Sequence, residues 1–248
     1  MFLEQRAREK EKELDAARTI QKRLLPEAPP QFDGLDIFGI NIPAREVGGD
    51  YFDFVPLAGR LVVGLGDVSG KGVPAALLMS HLQASLHARA RDTVPPHEIA
   101  RAMDRLLYAA TESGRYATFF LASFAGGDSG LRYCNAGHTP GLLVHAGRLE
   151  LLESTGAPLG LLPGSEYRED ARPFEAGDLL VLYSDGITEC LHKGEFYGDE
   201  RLHALVTQLS ARSLTSEAFG RAILDDVRHF AHGNLESDDV TLVVVRRV

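Results

Sequence analysis

The sequence predicts an α+β fold built on mainly antiparallel sheet. Three observations carry that expectation. Apolar runs of strand length cluster with hairpin-length gaps between them, helical segments come in pairs, and the chain closes on a strand-like run, DDVTLVVVRRV. Regular alternation of strand and helix would have pointed to a parallel sheet instead.

The first element is a helix. Residues 3 to 25 carry neither Gly nor Pro and are rich in Glu, Lys, Arg, Ala and Leu. Leu3, Ala7, Lys10, Leu14, Ala17, Gln21 and Leu24 follow spacings of four and three, the seam rhythm of a coiled coil, with Lys10 and Gln21 as polar interruptions. The segment reads either as a solvated helix or as one that dimerises or carries a signal. Pro26, Pro29 and Pro30 end it. This divides the chain into a helical linker over 1–30 and a catalytic or binding domain over 31–248.

LDIFGINIP, DYFDFVPL and RLVVGLGD then read as successive strands, the last two joined by a turn at Ala58-Gly59. VPAALLMSHLQASLHARA is a helix with Pro74 in its first turn, and Pro95-Pro96 open a second, HEIARAMDRLLYAAT. RYATFFLASFA, LRYCNAG, TPGLLVH and DLLVLYSDG are strand-like, ERLHALVTQL and SEAFGRAILDDVRHFA are helical, and the closing strand follows.

Composition narrows the function. Of 248 residues 44% are hydrophobic and 25% charged, as in ordinary globular proteins. A formal net charge of -9 argues against a nucleic-acid surface, which needs clustered positive charge. No apolar run approaches the roughly 18–20 residues that span a bilayer, so no membrane insertion is expected. The opening MFLEQRAREKEK turns charged after two apolar residues and lacks a secretory apolar core. With two unpaired-looking cysteines, Cys134 and Cys190, a reducing cytoplasm is the expected compartment.

The stretch GLGDVSGKGVP, residues 64–74, invites a nucleotide reading and fails it. A phosphate-binding loop needs Gly, four residues, then Gly-Lys-Ser/Thr. Three residues separate Gly66 from Gly70 and five separate Gly64 from it, so the spacing is wrong in both cases, and Lys71 is followed by Gly72 where a hydroxyl is required.

 A dinucleotide fingerprint also fails, because Ser69 stands at the third glycine position.

A different pattern recurs. Asp50 follows Gly48-Gly49 and precedes YFDF, Asp67 ends LVVGLG, Asp185 ends LLVLYS ahead of Gly186, and Asp238-Asp239 precedes VTLVVV. A single strand-end Asp is ordinarily a turn former. Four such sites that converge would repel one another, and a divalent cation relieves that directly. Oxygen donors without a His or Cys set indicate magnesium or manganese rather than zinc.

REVGGDYFDF, GDVSGKGVPAALLMS, NAGHTPGLL, GAPLGLL, DLLVLYSDGITE and SDDVTLVVV, in this order, resemble the metal-dependent (PPM, type 2C) protein phosphatases. More narrowly they are similar to the bacterial branch typified by SpoIIE and RsbU, over roughly residues 35 to 248. The resemblance implies an antiparallel β-sandwich flanked by helices on both outer faces, with two or three Mn2+ or Mg2+ ions at one end. Carried over by motif, Asp50, Asp67, Asp185 and Asp238 are the metal-gathering, catalytic carboxylates, Val68 supplies a backbone carbonyl, and Asp239 is a further ligand or a support. Gly49, Ser69, Gly70 and Gly186 support the site. Water held between two cations has its pKa lowered from about 15.7 to near neutrality, and so attacks phosphorus without a side-chain base.

The resemblance has departures. Arg45, five residues before Asp50, has the offset of the family's phosphate-binding arginine, and reads equally as a solvated arginine. Where animal and plant relatives read Asp-Gly-His, this chain reads Asp67-Val68-Ser69, so the histidine assigned there to the leaving group is absent. His138 is either a substitute or a structural residue. Lys71 either touches phosphate or is exposed, and Asp53 is an outer or structural carboxylate.

The branch implies a phosphoprotein substrate, an anti-sigma-factor antagonist of STAS type. The N-terminal helix resembles the linker that joins an upstream sensor or activator to this domain, while its seam rhythm leaves a homodimer open. The helices after Gly72 are expected to be the regulatory element, since they run straight from the Asp67 turn. The rival reading is a phosphatase-like scaffold that binds a partner without turnover.

Overall fold

The computed structural model describes residues 2–111, 114–127, 130–233 and 238–248, with the side chains at 2–4, 7, 8, 10 and 11 outside that description. Two five-stranded antiparallel sheets form its centre. In chain order the elements are α1 (Phe2–Lys22), β1 (Leu35–Ile42), β2 (Tyr51–Pro56), β3 (Arg60–Val68), α2 (Val73–Arg89), α3 (Pro96–Ala110), β4 (Ala117–Ala125), β5 (Gly130–Ala136) and β6 (Gly141–His145). There follow β7 (Arg148–Leu152), β8 (Asp170–Pro173), β9 (Leu179–Tyr183), α4 (Asp185–Thr188), β10 (Leu191–His192), β11 (Glu195–Phe196), α5 (Asp199–Ser210), α6 (Ser216–Phe230) and β12 (Val240–Arg247).

One sheet has the order β1-β12-β9-β6-β7 and the other β2-β3-β4-β5-β8. Alternation of side chains across each sheet explains how they pack. Ile37, Leu180, Leu182, Val243 and Val245 of the first sheet meet Phe52, Phe54, Leu61, Val63, Leu65, Phe120 and Phe124 of the second in one buried cluster. The opposite face of the first sheet, including Phe38, Val181, Leu242 and Val244, is covered by Leu202, Val206, Phe219, Ile223 and Val227 of α5 and α6. The outer face of the second, including Val62, Phe119 and Leu121, is covered by Met79, Leu82 and Leu86 of α2 and Ile99, Met103 and Leu107 of α3. The expected sandwich with helices on both outer faces is therefore present.

Three details refine the sequence reading. β1 does not continue into the β2–β3 hairpin but crosses to the other sheet, where it pairs with β12 from Leu35↔Arg247 to Ile42↔Val240. The short β7 and β8 carry only one fully buried apolar position, Leu152 of β7, so periodicity gave no signal for them. In α1 the half-buried positions Leu14, Ala17 and Gln21 keep the predicted spacing on one side, with half-buried Leu24 just beyond the helix, while Ile20 is 62% exposed. The seam positions Leu3, Ala7 and Lys10 lie outside the described side chains.

Among the described residues no helix is long and apolar enough to cross a membrane. Cys134 and Cys190 are buried and unbridged. Burial pushes the Cys134 thiol up to about 11, so it packs as a small apolar group.

Candidate metal centre

The acidic residues of the recurring pattern collect at one end of the sandwich because their strands end there. Asp50 immediately precedes β2, Asp67 is the last residue but one of β3, Asp185 follows β9 by two residues, and Asp238-Asp239 leads into β12. The first two belong to one sheet and the rest to the other, so the centre spans the seam between sheets.

Asp50 is 3% exposed, and its Oδ2 accepts the Thr241 hydroxyl at 2.5 Å. Strand register explains this partner. Asn41 of β1 stands directly opposite Thr241 of β12, and its Nδ2 donates to the same hydroxyl at 2.8 Å. The threonine proton is thereby directed at Asp50. Ser184, fully buried before α4, accepts from the Thr241 N–H at 2.9 Å and donates to the Asp239 carbonyl at 3.2 Å. Sequence reasoning missed Asn41, Ser184 and Thr241, since only strand register shows what each faces.

Asp239 has a holding role. Its Oδ1 accepts from the Ala44 N–H and its Oδ2 from the Gly49 N–H, both at 2.8 Å, with the Asp50 N–H at 3.5 Å. Glycine is required on both sides of it. A Cβ on Gly48 would stand 2.2 Å from Asp239 Oδ2, and one on Gly186 2.0 Å from the Asp239 carbonyl oxygen. A Cβ on Gly49 would meet the Val68 carbonyl at 2.9 Å and Asp67 Oδ1 at 3.2 Å. The loop, the Val68 carbonyl and Asp67 thus approach more closely than any side chain would permit.

The turn after β3 is held by Ser69, whose hydroxyl accepts the Tyr116 N–H at 3.0 Å. Gly70 and Gly72 adopt φ of 102° and 76°, a region that favours glycine. Between them Lys71 reaches across to Asp238, Nζ to Oδ2 2.6 Å. Arg45, Gly49, Asp67, Lys71, Asp238 and Asp239 line a cavity of about 150 Å³. A second cavity of about 300 Å³ lies on the other side of Asp67 and Asp185, with Ser69, Thr118, His138 and Glu189 in its wall.

Charge crowding marks the site. Burial first, then Asp67, holds the Asp50 carboxyl well above the usual range, against the pull of the Thr241 and Ser184 hydroxyls. Asp67 is pushed up to about 7 by burial, then by Asp185, Asp238 and Asp239. Asp185 is raised by burial, Glu189 and Asp238. These groups resist ionising together unless a positive charge joins them.

Two further sequence candidates, Asp53 and His138, have partners outside the acid cluster. Asp53 takes the Tyr51 hydroxyl at 2.5 Å and pairs with His87 of α2 at 2.6 Å, so it ties helix to sheet. His138 is buried with Nδ1 2.8 Å from the Thr118 hydroxyl, and burial lowers its pKa to about 4. Burial thus favours the neutral imidazole, and His138 stands in the wall of the second cavity.

The donor set fits hard divalent cations: carboxylates, a backbone carbonyl brought close by Gly49, and outer hydroxyl and amide bonds that orient them. Among the described residues no group of three or more acidic, His or Cys side chains is already placed to hold a metal ion. Instead Asp67, Asp238 and Asp239 border the cavity and Lys71 engages Asp238.

Fold and site together define a PP2C-like phosphatase architecture. The SpoIIE family, described as Stage II sporulation protein E, matches residues 58–248, and the chain belongs to that family. It is 30% identical over 237 residues to Phosphoserine phosphatase RsbU of Bacillus subtilis (strain 168), covering 95% of this chain and 70% of RsbU. It spans less than half the length of two further curated relatives. The crystal structure of the RsbU and RsbW domains of Rv1364c from Mycobacterium tuberculosis superposes with a TM-score of 0.79 at 29% identity, covering 90% of this chain and 63% of that one. The SiaA-PP2C domain of Pseudomonas aeruginosa shares the fold at a TM-score of 0.83 and 19% identity, covering 97% and 98%.

Proposed function

We propose that this chain is a metal-dependent serine/threonine phosphatase that acts on a phosphorylated regulatory protein. The observation that carries the reading is the convergence of Asp50, Asp67, Asp185 and Asp238 at one end of the sandwich, beside Arg45 and Lys71. Crowded carboxyls beside a cavity, with Asp50, Asp67 and Asp185 raised, are what a cation site requires.

Asp50, Asp67, Asp185, Asp238 and the Val68 carbonyl would hold two or three Mn2+ or Mg2+ ions. When bound, such ions supply an acidified water as nucleophile and neutralise phosphoryl oxygens. The chain's own part is positioning. Thr241 and Ser184 fix Asp50, and Asp239 fixes the backbone that carries Arg45 and Asp50. Arg45 is exposed at the cavity mouth and suits a bidentate hold on the phosphoryl group. Lys71 adds a second positive charge at the same mouth.

The substrate class inferred is a phosphorylated anti-sigma-factor antagonist of STAS type, met in the cytoplasm, with activation reaching the site through α1 and a homodimer as the working form. Purified protein with manganese, with and without chelator, tests the activity on p-nitrophenyl phosphate and on a phosphorylated STAS domain. Turnover that needs the metal and falls about a hundredfold or more in Asp185→Asn is expected. Partner binding without any metal-dependent turnover would replace this reading with a scaffold.

A further inference from the structure

Gln21, a polar interruption in the α1 seam, has a specific partner. Its Nε2 donates to the Gly48 carbonyl at 2.7 Å, and its Oε1 accepts the Gly48 N–H at 3.1 Å. One carboxamide thus satisfies both backbone groups of one residue. Gly48 lies between Arg45 and Asp50 in a segment, 43–50, that has no helix or strand bonding. Such a segment keeps its shape only through bonds from outside.

Those bonds come from two directions. Asp239 takes the Ala44 and Gly49 amides from the β12 side, and Gln21 takes Gly48 from the α1 side. Gly48 is packed so closely on Asp239 that a Cβ would overlap it, so a shift at Gly48 moves the carboxylate that holds Gly49. Leu24 and Leu25, just beyond α1, pack on the core under α2 and α3 and fix the end of the helix. A rotation of α1 by a single residue turns Gln21 by about 100° and breaks both bonds.

We infer that Gln21 is a positioning residue of the metal loop, and that docking of α1 through it sets the cation affinity of the site. The consequence for affinity rests on the metal-centre reading, whereas the clasp on Gly48 does not.

The test uses the full chain as wild type, Gln21→Ala, Gln21→Asn and the exposed neighbour Ile20→Ala. Manganese affinity is read by calorimetry, and the Gly48 amide by hydrogen exchange in chelator. Loss of an outer partner of this kind costs about 10–100-fold in metal affinity. That loss, with faster Gly48 exchange, is expected for Gln21→Ala and for Gln21→Asn, whose side chain is one methylene too short. Ile20→Ala is expected to change neither. Equal Gly48 protection in wild type and Gln21→Ala overturns the clasp. Equal manganese affinity in two folded proteins that both bind the ion overturns its consequence. Wild type that takes up no manganese sinks the metal reading itself, and Gly48 exchange then decides the positioning role alone.

Discussion

The Lys71 ammonium lies 2.6 Å from the Asp238 carboxylate, in the position of a cation that the acid cluster otherwise lacks. Both side chains are about half exposed, at 49% and 43%. An ion pair of that exposure contributes about 0.2–1 kcal/mol. A divalent ion that takes Asp238 must displace it. Lys71→Met is therefore expected to bind manganese more tightly, by up to about fivefold, as measured by calorimetry. Unchanged or weaker binding would show that Lys71 does not compete.

Thr241 links Asn41 to Asp50 through one hydroxyl. Thr241→Val preserves shape and removes the link, leaving polar groups without partners at a cost of about 1–3 kcal/mol. Manganese affinity is expected to fall about 10–100-fold, while Thr241→Ser keeps most of it. Equal affinities in the valine and serine variants would contradict this role.

The raised Asp67 carboxyl makes a pH prediction. Its folded pKa of about 7 exceeds the ordinary value near 4, so the native state binds more protons than the unfolded state between those limits. Its ionised form lowers metal-free stability as pH rises through that window. In chelator, Asp67→Asn is expected to melt a few degrees above wild type at pH 8 and close to it at pH 4. A lower melting temperature for the variant at pH 8 would refute the sign.

Gly49→Ala should separate site from fold. Its Cβ would crowd the Val68 carbonyl and Asp67, whereas a Cβ on Gly59 meets nothing nearer than 3.6 Å. Metal-dependent turnover is expected to drop at least about tenfold in Gly49→Ala and to persist in Gly59→Ala, assayed side by side.

Much of this architecture was legible in the sequence, and the reason is periodicity. The long strands β3, β4, β9 and β12 are almost continuously apolar, as strands packed on both faces must be. Asp50, Asp67, Asp185 and Asp238 were legible as acids beside such strands. Their supports were not. Thr241 sits inside VTLVVV and resembles any strand threonine, and its partner Asp50 is 191 positions away. Gln21 looked like a flaw in a coiled-coil seam until Gly48, 27 positions on, supplied its purpose. Register and docking create these contacts, and neither is written in local spacing.

The central claim is that Asp50, Asp67, Asp185 and Asp238 share divalent cations. Crystals grown with manganese and measured for anomalous scattering test it most directly. The account predicts at least two anomalous peaks within coordination distance of these carboxylates, with Lys71 withdrawn from Asp238. A map with no peak among them, or with manganese bound only elsewhere on the surface, would contradict it.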